Sequence, residues 1–333
     1  MDRQRHIAAV VWAPEENRTE LIAGHLGAEL HTVHYLYYKR PLFAPVKYVP
    51  QTIKTLWILF RRKPRVVYVT NPPVFAALTV AAYCRLTGAE FVMDTHSPAL
   101  YSKRWGWSVP LQRFASRRAL VNVLDQQRYV ELFESWGSRA LVLEKPIAEG
   151  VFSDNGHHSA RPREAPFTVT VINTFAVDEP LEPILEAAER LPDVRFVVLG
   201  DTSLADQKLL ERAPRNVEFP GYLLKEAYWR QLERSNAVMA LTTYPYSLLA
   251  GGHDGLALEK PLILSDQPAL TDFYDRGVIF VDNSSESIAE AVLAIREDEP
   301  RYIAEVRAVA QEKRRQWQAN FDRLAALIDE ASA

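Results

Sequence analysis

Ten short, uninterrupted apolar runs, each followed by a helix-length stretch, constrain this chain more than any other feature. Five lie in the first half: IAAVVW (7–12), VVYVT (66–70), EFVMD (90–94), ALVNV (119–123) and ALVLE (140–144). Five lie in the second: TVTVI (168–172), RFVVLG (195–200), AVMAL (237–241), PLILS (261–265) and GVIFVD (277–282). Strands that are apolar throughout are buried on both faces, as in parallel sheets covered by helices. Strand–helix alternation at this spacing predicts a doubly wound α/β sheet. Because the pattern occurs twice, it predicts two Rossmann-like domains facing each other across a cleft.

The domain boundaries follow from the breaks in this pattern. Residues 1–150 make the first domain, the polar stretch VFSDNGHHSARPREAP (151–166) a linker, and residues 167–311 the second. Near the end, Ile303, Val306, Val309, Trp317, Phe321, Leu324 and Ile328 recur at helical spacing. They predict a long amphipathic helix, broken near Gln311–Arg315, whose part over 312–333 packs back on the first domain. A chain of 333 residues has room for both cores. The single cysteine, Cys84, excludes a disulfide framework and a cysteine-based zinc site, and points to a reducing, cytoplasmic compartment. The apolar run of MDRQRHIAAVVW is too short for a signal peptide or a membrane span, so a soluble protein is expected.

The net charge of −3 conceals an asymmetry. Residues 1–150 hold 20 Lys/Arg against 12 Asp/Glu, a net of +8, while the remainder holds 19 against 30, a net of −11. No acidic residue lies between Glu29 and Glu90, an interval that contains Lys39, Arg40, Lys47, Lys54, Arg61, Arg62, Lys63, Arg65 and Arg85. Such a field attracts anions.

The stretch AGGHDGLALEK (250–260) follows the strand AVMAL and the loop through Ser247. Glycines allow a backbone to approach a ligand, and a helix start offers amide groups and a positive dipole end to a diphosphate. On this reading Gly251 and Gly252 precede a helix over Gly255–Glu259. Asp254 then caps that helix or binds the vicinal hydroxyls of a ribose.

This region resembles the GT-B nucleotide-sugar glycosyltransferases, specifically the large bacterial family-4-like group. Typical members carry Glu-Gly-x-Gly-x-x-x-x-Glu-Ala-x-Ala-x-Gly-Lys-Pro-Val-Ile-x-x-Asp, matched here by Asp254-Gly-Leu-Ala-Leu-Glu-Lys260-Pro261-Leu-Ile-Leu-Ser-Asp266. RFVVLGD (195–201), NVEFPGYL (216–223) and SNAVMALTT (235–243) resemble successive donor-domain strands. The resemblance spans most of residues 66–290 and implies that Asp254 holds the donor ribose. It implies a donor site of Gly251, Gly252, His253, Ser247, Asn173, Thr174, Gly200, Asp201 and Tyr222, with no metal and no cofactor beyond the nucleoside-diphosphate sugar.

Two departures qualify the match. The family's first Glu falls at Tyr246, and its Gly-Arg-x-x-x-x-Lys is replaced by Asn173-Thr174-Phe175-Ala176-Val177-Asp178-Glu179-Pro180, which has no cation. That segment is similar to one in the eukaryotic β-mannosyltransferases of lipid-linked oligosaccharide synthesis. Those enzymes invert configuration and typical family-4 enzymes retain it, so the stereochemistry stays open.

In the first domain, FVMDTHSPAL (91–100) resembles the segment of both groups that ends a strand in Asp and His. Asp94 and His96 are therefore expected to leave the strand end and face the cleft. Either can take the proton of an acceptor hydroxyl, and His96 can alternatively bind the donor sugar. Asn17 and Arg18, after the first strand, read as exposed helix-start residues.

YLYYKRPLFAPVKYVPQTIKTLWILFRRKP (35–64) is basic and aromatic. Ile53, Leu56, Trp57 and Phe60 fall on one helical face with Lys54, Arg61, Arg62 and Lys63 nearby. Such a helix can lie in the headgroup plane of an anionic membrane, each cation contributing about 1 kcal/mol, or it can be an ordinary domain helix with a solvated basic face. The 60-residue absence of acids favours the membrane. The composition also suits RNA, but no RNA-binding motif is present. Together these readings describe a peripheral membrane glycosyltransferase acting on a lipid-linked or polysaccharide-precursor acceptor. The alternatives are a catalytically idle GT-B subunit that anchors or activates a partner, and a nucleotide-sugar epimerase.

Overall fold

A computed structural model describes residues 6–14, 16–35, 44–147 and 166–332. The linker expected over 151–166 falls outside the described residues as far as 165. Two compact units are present, residues 1–146 with 315–333, and residues 147–314.

The first unit holds β1 (Ile7–Val11), β2 (Glu29–Thr32), β3 (Val66–Asn71), β4 (Glu90–Thr95), β5 (Val121–Leu124) and β6 (Ala140–Val142). Its helices are α1 (Asn17–Leu26), α2 (Ala44–Arg62), α3 (Val74–Thr87), α4 (Pro98–Tyr101), α5 (Val109–Ser116) and α6 (Val130–Ser135). The second unit holds β7 (Phe167–Ile172), β8 (Val194–Leu199), β9 (Val217–Gly221), β10 (Ala237–Ala240), β11 (Leu262–Ser265) and β12 (Val278–Val281). Around them lie α7 (Glu182–Arg190), α8 (Gln207–Glu211), α9 (Lys225–Glu233), α10 (Ala250–Ala257), α11 (Pro268–Phe273) and α12 (Ser285–Glu297), followed by α13 (Glu299–Ser332).

Among the described residues every strand pairing is parallel. The first sheet runs β2-β1-β3-β4-β5-β6 and the second β12-β11-β10-β7-β8-β9. The chain therefore winds outward in both directions from β1/β3 in one sheet and from β7/β10 in the other. Such switch points leave a crevice beyond the carboxyl ends of the strands, where open α/β sheets bind their ligands.

Alternation along β1 shows how the sheet is covered. Ile7 and Ala9 pack on Ile22 and Leu26 of α1 and on Phe321, Leu324 and Ile328 of α13. Ala8 and Val10 pack on the other side, against Leu59 of α2, Ala76 and Val80 of α3 and Ala115 of α5. In the second unit Val306, Val309 and Ala310 of α13 enter the core with Leu256 and Leu264. α13 is one continuous helix of 34 residues, without the break expected near Gln311–Arg315. No helix among the described residues is long and apolar enough to cross a membrane.

The Gly251-Gly252 pair does not form a turn ahead of a helix. α10 begins at Ala250, so both glycines lie in its first turn and Asp254 in its second. A Cβ on Gly251 would meet Ala240 Cβ and Ile172 Cδ1 at 2.9 Å, and one on Gly252 would meet the Tyr274 hydroxyl at 2.6 Å. Gly251 lets the start of α10 rest directly on β7 and β10, at the switch point, and Gly252 leaves room for Tyr274. Gly251→Val is expected to destabilise the protein by about 1–3 kcal/mol through overpacking, read as a lower urea midpoint.

Candidate active site

Asp94 lies inside β4 and is fully buried, rather than leaving the strand end as the sequence suggested. A carboxylate sealed in a core needs a cation and hydrogen-bond donors. Arg18 supplies the ion pair through Nη2 and donates from Nε to the Leu143 carbonyl at 3.1 Å. The Thr19 hydroxyl donates to Asp94 Oδ2 at 2.8 Å. Arg18 is thus buried in α1 rather than exposed at a helix start, whereas Asn17 is exposed.

His96 follows β4 directly, its side chain partly open. Its Nε2 lies 3.5 Å from Asp94 Oδ2 and its Nδ1 3.7 Å from Glu16 Oε1. Burial tends to raise the Asp94 pKa, but Arg18, His96 and Thr19 hold it down to about 2. For His96, burial and Arg18 favour the neutral ring, yet Asp94 and Glu16 outweigh them and raise its pKa. An imidazole between two carboxylates accepts a proton readily and its cation is stabilised where it forms. If His96 works as a base, Glu16→Gln moves the acid limb of the kcat/KM–pH profile to lower pH. An unmoved limb would exclude Glu16 from that role.

In the second unit the loops after β7 and β10 flank the start of α10. Asn173 is buried and its Oδ1 accepts the Phe175 amide at 2.7 Å, which shapes the β7 loop. Gly200 passes so close that a Cβ there would lie 1.9 Å from the Asn173 carbonyl oxygen. The Glu179 carboxylate accepts hydrogen bonds from the Thr174 amide and, at 2.9 Å, from its hydroxyl. Burial raises the Glu179 pKa against the pull of these bonds. Ser247 is half-buried in the β10 loop.

Asp254 does not cap α10. Its Oδ2 accepts the Tyr228 hydroxyl of α9 at 2.7 Å, and burial together with Asp254 drives the Tyr228 pKa far up, keeping the phenol a donor. His253 is buried in a ring cluster, 4.9 Å from the Phe273 centroid and edge-on to Tyr274, so it faces the core rather than a sugar or phosphate. Asp201 is exposed and caps a short turn by accepting the Ser203 amide. Tyr222 follows the edge strand β9 with 77% of its surface exposed. Neither Asp201 nor Tyr222 follows a strand of the β7/β10 pair.

On α2, Val49, Ile53, Trp57 and Phe60 form one exposed stripe, with Trp57 61% exposed. Leu56 departs from it, turning to pack on the core around Leu59. Lys54, Arg61, Arg62 and Lys63 are exposed alongside. The Arg61 guanidinium lies 5.6 Å from the Trp57 ring centre, and Arg62 pairs with Glu29 at 2.9 Å.

No protein-family model matches the chain and no curated protein matches it. Solved structures do. Anabaena HepE, in complex with UDP and glucose, aligns over 97% of this chain and 100% of its own, at 13% identity and a TM-score of 0.68. A glycosyltransferase from Rickettsia africae aligns over 98% of each chain, at 12% identity and a TM-score of 0.71. Sucrose-phosphate synthase from Thermosynechococcus elongatus aligns over 97% of each, at 12% identity and a TM-score of 0.65. The fold is GT-B. Identity this low carries the architecture and not the reaction.

Within the GT-B frame, the residues that sequence reasoning missed are Glu16, Arg18, Thr19 and Tyr228. One signal for Arg18 was available. The apolar run EFVMD ends in a carboxylate that demands a buried cation, although nothing in the sequence says which cation supplies it.

Proposed function

We propose that this protein is a glycosyltransferase that moves a sugar from a nucleoside-diphosphate sugar to a lipid-linked or polysaccharide-precursor acceptor at the cytoplasmic face of a membrane. The observation that carries the reading is His96, held between Asp94 and Glu16 at the carboxyl end of a GT-B sheet. The acceptor hydroxyl attacks the anomeric carbon, the bond to the diphosphate oxygen breaks, and the nucleoside diphosphate leaves with the electron pair. His96 takes the hydroxyl proton, and the two carboxylates hold the resulting imidazolium.

The second unit takes the donor at its switch point. The first-turn amides of α10, with the helix dipole, stabilise the leaving diphosphate without requiring a metal. Asp254, whose Oδ2 accepts from Tyr228, is an acceptor-only carboxylate of the type that suits ribose hydroxyls. Thr174 and Ser247 line the flanking loops. HepE is solved with UDP and with UDP-glucose, and S. aureus MnaA with UDP, which supports a uridine diphosphate sugar as the first donor to test. For the membrane, the support is the α2 stripe with its flanking cations, which together match an anionic leaflet.

One observation favours a second reading, a catalytically idle GT-B subunit. Where the family-4-like pattern places an Arg and a Lys, the loop here pairs Thr174 with the Glu179 carboxylate. Nucleotide release from UDP-, GDP-, ADP- and dTDP-sugars, with and without lipid-linked acceptors, separates the two. Release that needs an acceptor and His96 supports transfer. Turnover of the donor sugar alone would indicate an epimerase, and no turnover of any donor would favour the idle subunit.

A further inference from the structure

A second basic feature lies on α5, on residues that carry none of the roles assigned above. Pro110, Arg113, Phe114, Arg117 and Arg118 line a surface cavity of about 530 Å³. Cations in the last turn of a helix complement its dipole, which explains one arginine there but neither the cavity nor the grouping. Arg113 and Arg117 stand one turn apart, where like charges repel. Among the described residues none of the three arginines forms an ion pair.

The third arginine is held in place. Arg118 Nη1 donates to the Phe114 carbonyl at 2.8 Å, and its guanidinium carbon lies 3.5 Å from the centre of the Phe114 ring. A guanidinium plane fixed in this way presents its remaining N–H groups in one orientation, which suits two-point recognition of a phosphoryl group. Phe114, 48% exposed, and Pro110 add an apolar wall for an organic substituent. α5 covers the same side of the sheet as α2 and α3. Its C-terminal turn leads into the start of β5, the opposite edge from the carboxyl end of β4 that carries His96.

We propose that this cavity is a phosphoryl-binding site for a phosphate ester carried on an organic group, separate from the reaction site. The shared chemistry has two sources, a lipid headgroup and a soluble phosphate ester. The test compares the full chain with R113Q/R117Q/R118Q and with a charge-matched control on the other unit, K208Q/R212Q/R215Q. All six side chains are exposed, and unchanged thermal unfolding confirms that each variant folds. Glycerol 3-phosphate is titrated by calorimetry, and phosphatidylcholine vesicles with and without phosphatidylglycerol are tested by co-sedimentation.

The expected result is a loss of at least about tenfold in affinity for one probe in the α5 variant, with the control unchanged. Loss with glycerol 3-phosphate assigns a soluble ester, and loss only with the anionic vesicles assigns a headgroup. Equal loss in both variants would reduce the effect to the general field of the chain. That result, or no loss in the α5 variant, or no binding of either probe to the unaltered protein, overturns the proposal. Because no arm measures sugar transfer, its outcome is independent of the transferase reading.

Discussion

His96→Ala is expected to slow sugar transfer by roughly a hundred- to ten-thousandfold, the usual contribution of a positioned general base. The loss should fall on kcat while nucleotide binding, placed in the other unit, stays intact. The group that drives it is the partly open imidazole, since Asp94 is sealed behind it. Asp94→Asn should lower kcat as well, because the ring then loses the anion that stabilises its charged form. Steady-state kinetics on donor and acceptor separate the effects. A His96→Ala enzyme with unchanged kcat and a raised donor KM would place His96 on the donor sugar instead.

Arg18→Leu carries the largest expected cost in stability. Removing one partner of a buried ion pair leaves an uncompensated charge and costs about 3–5 kcal/mol, a large part of the about 5–15 kcal/mol that holds a typical domain folded. Asp94 then loses its guanidinium partner and keeps only the His96 ring beside it. Replacing both residues, as Arg18→Leu with Asp94→Leu, removes the stranded charge and should recover most of the loss. Urea unfolding of the single and double variants measures this. A single variant within about 1 kcal/mol of the original protein would show that the pair contributes as little as an exposed one.

The pH dependence has opposite signs for the two titrating groups. Asp94 is held at about 2 in the folded protein against 3.8 ordinarily. Its contribution is complete above the unfolded value and is lost as pH falls through the folded one. His96, raised in the folded protein, contributes below its unfolded pKa and loses that contribution as pH rises through the folded pKa.

The central strands could be read from the sequence because they are buried on both faces. Val66–Val69 of β3 and Phe91–Met93 of β4 are continuous apolar runs for that reason. β2 was not, since Glu29–Thr32 is an edge strand of exposed and half-buried residues with no apolar run. β9, also at an edge, is half-exposed and came to notice only through the resemblance of NVEFPGYL. The start of α10 was misplaced because glycine is a poor helix former, and its use here in close packing against Ala240 and Ile172 is a tertiary fact. His253 and Asp254 were visible as a polar pair. Their separate fates, one in a ring cluster and one on Tyr228, depend on α9 and α11. Arg18 lies 76 positions from its partner, and no local pattern reports such a pairing.

The measurement that tests the account most directly is thermal stabilisation by UDP, GDP, ADP and dTDP, repeated with Asp254→Ala. A nucleotide that binds the folded protein at 100 times its dissociation constant should add about 2.7 kcal/mol of stability. The account predicts a shift with one nucleotide, UDP first, that is lost or sharply weakened in Asp254→Ala. A shift that survives the substitution would remove Asp254 from the donor site. No shift with any of the four would contradict a nucleotide-sugar donor at the β7/β10 switch point.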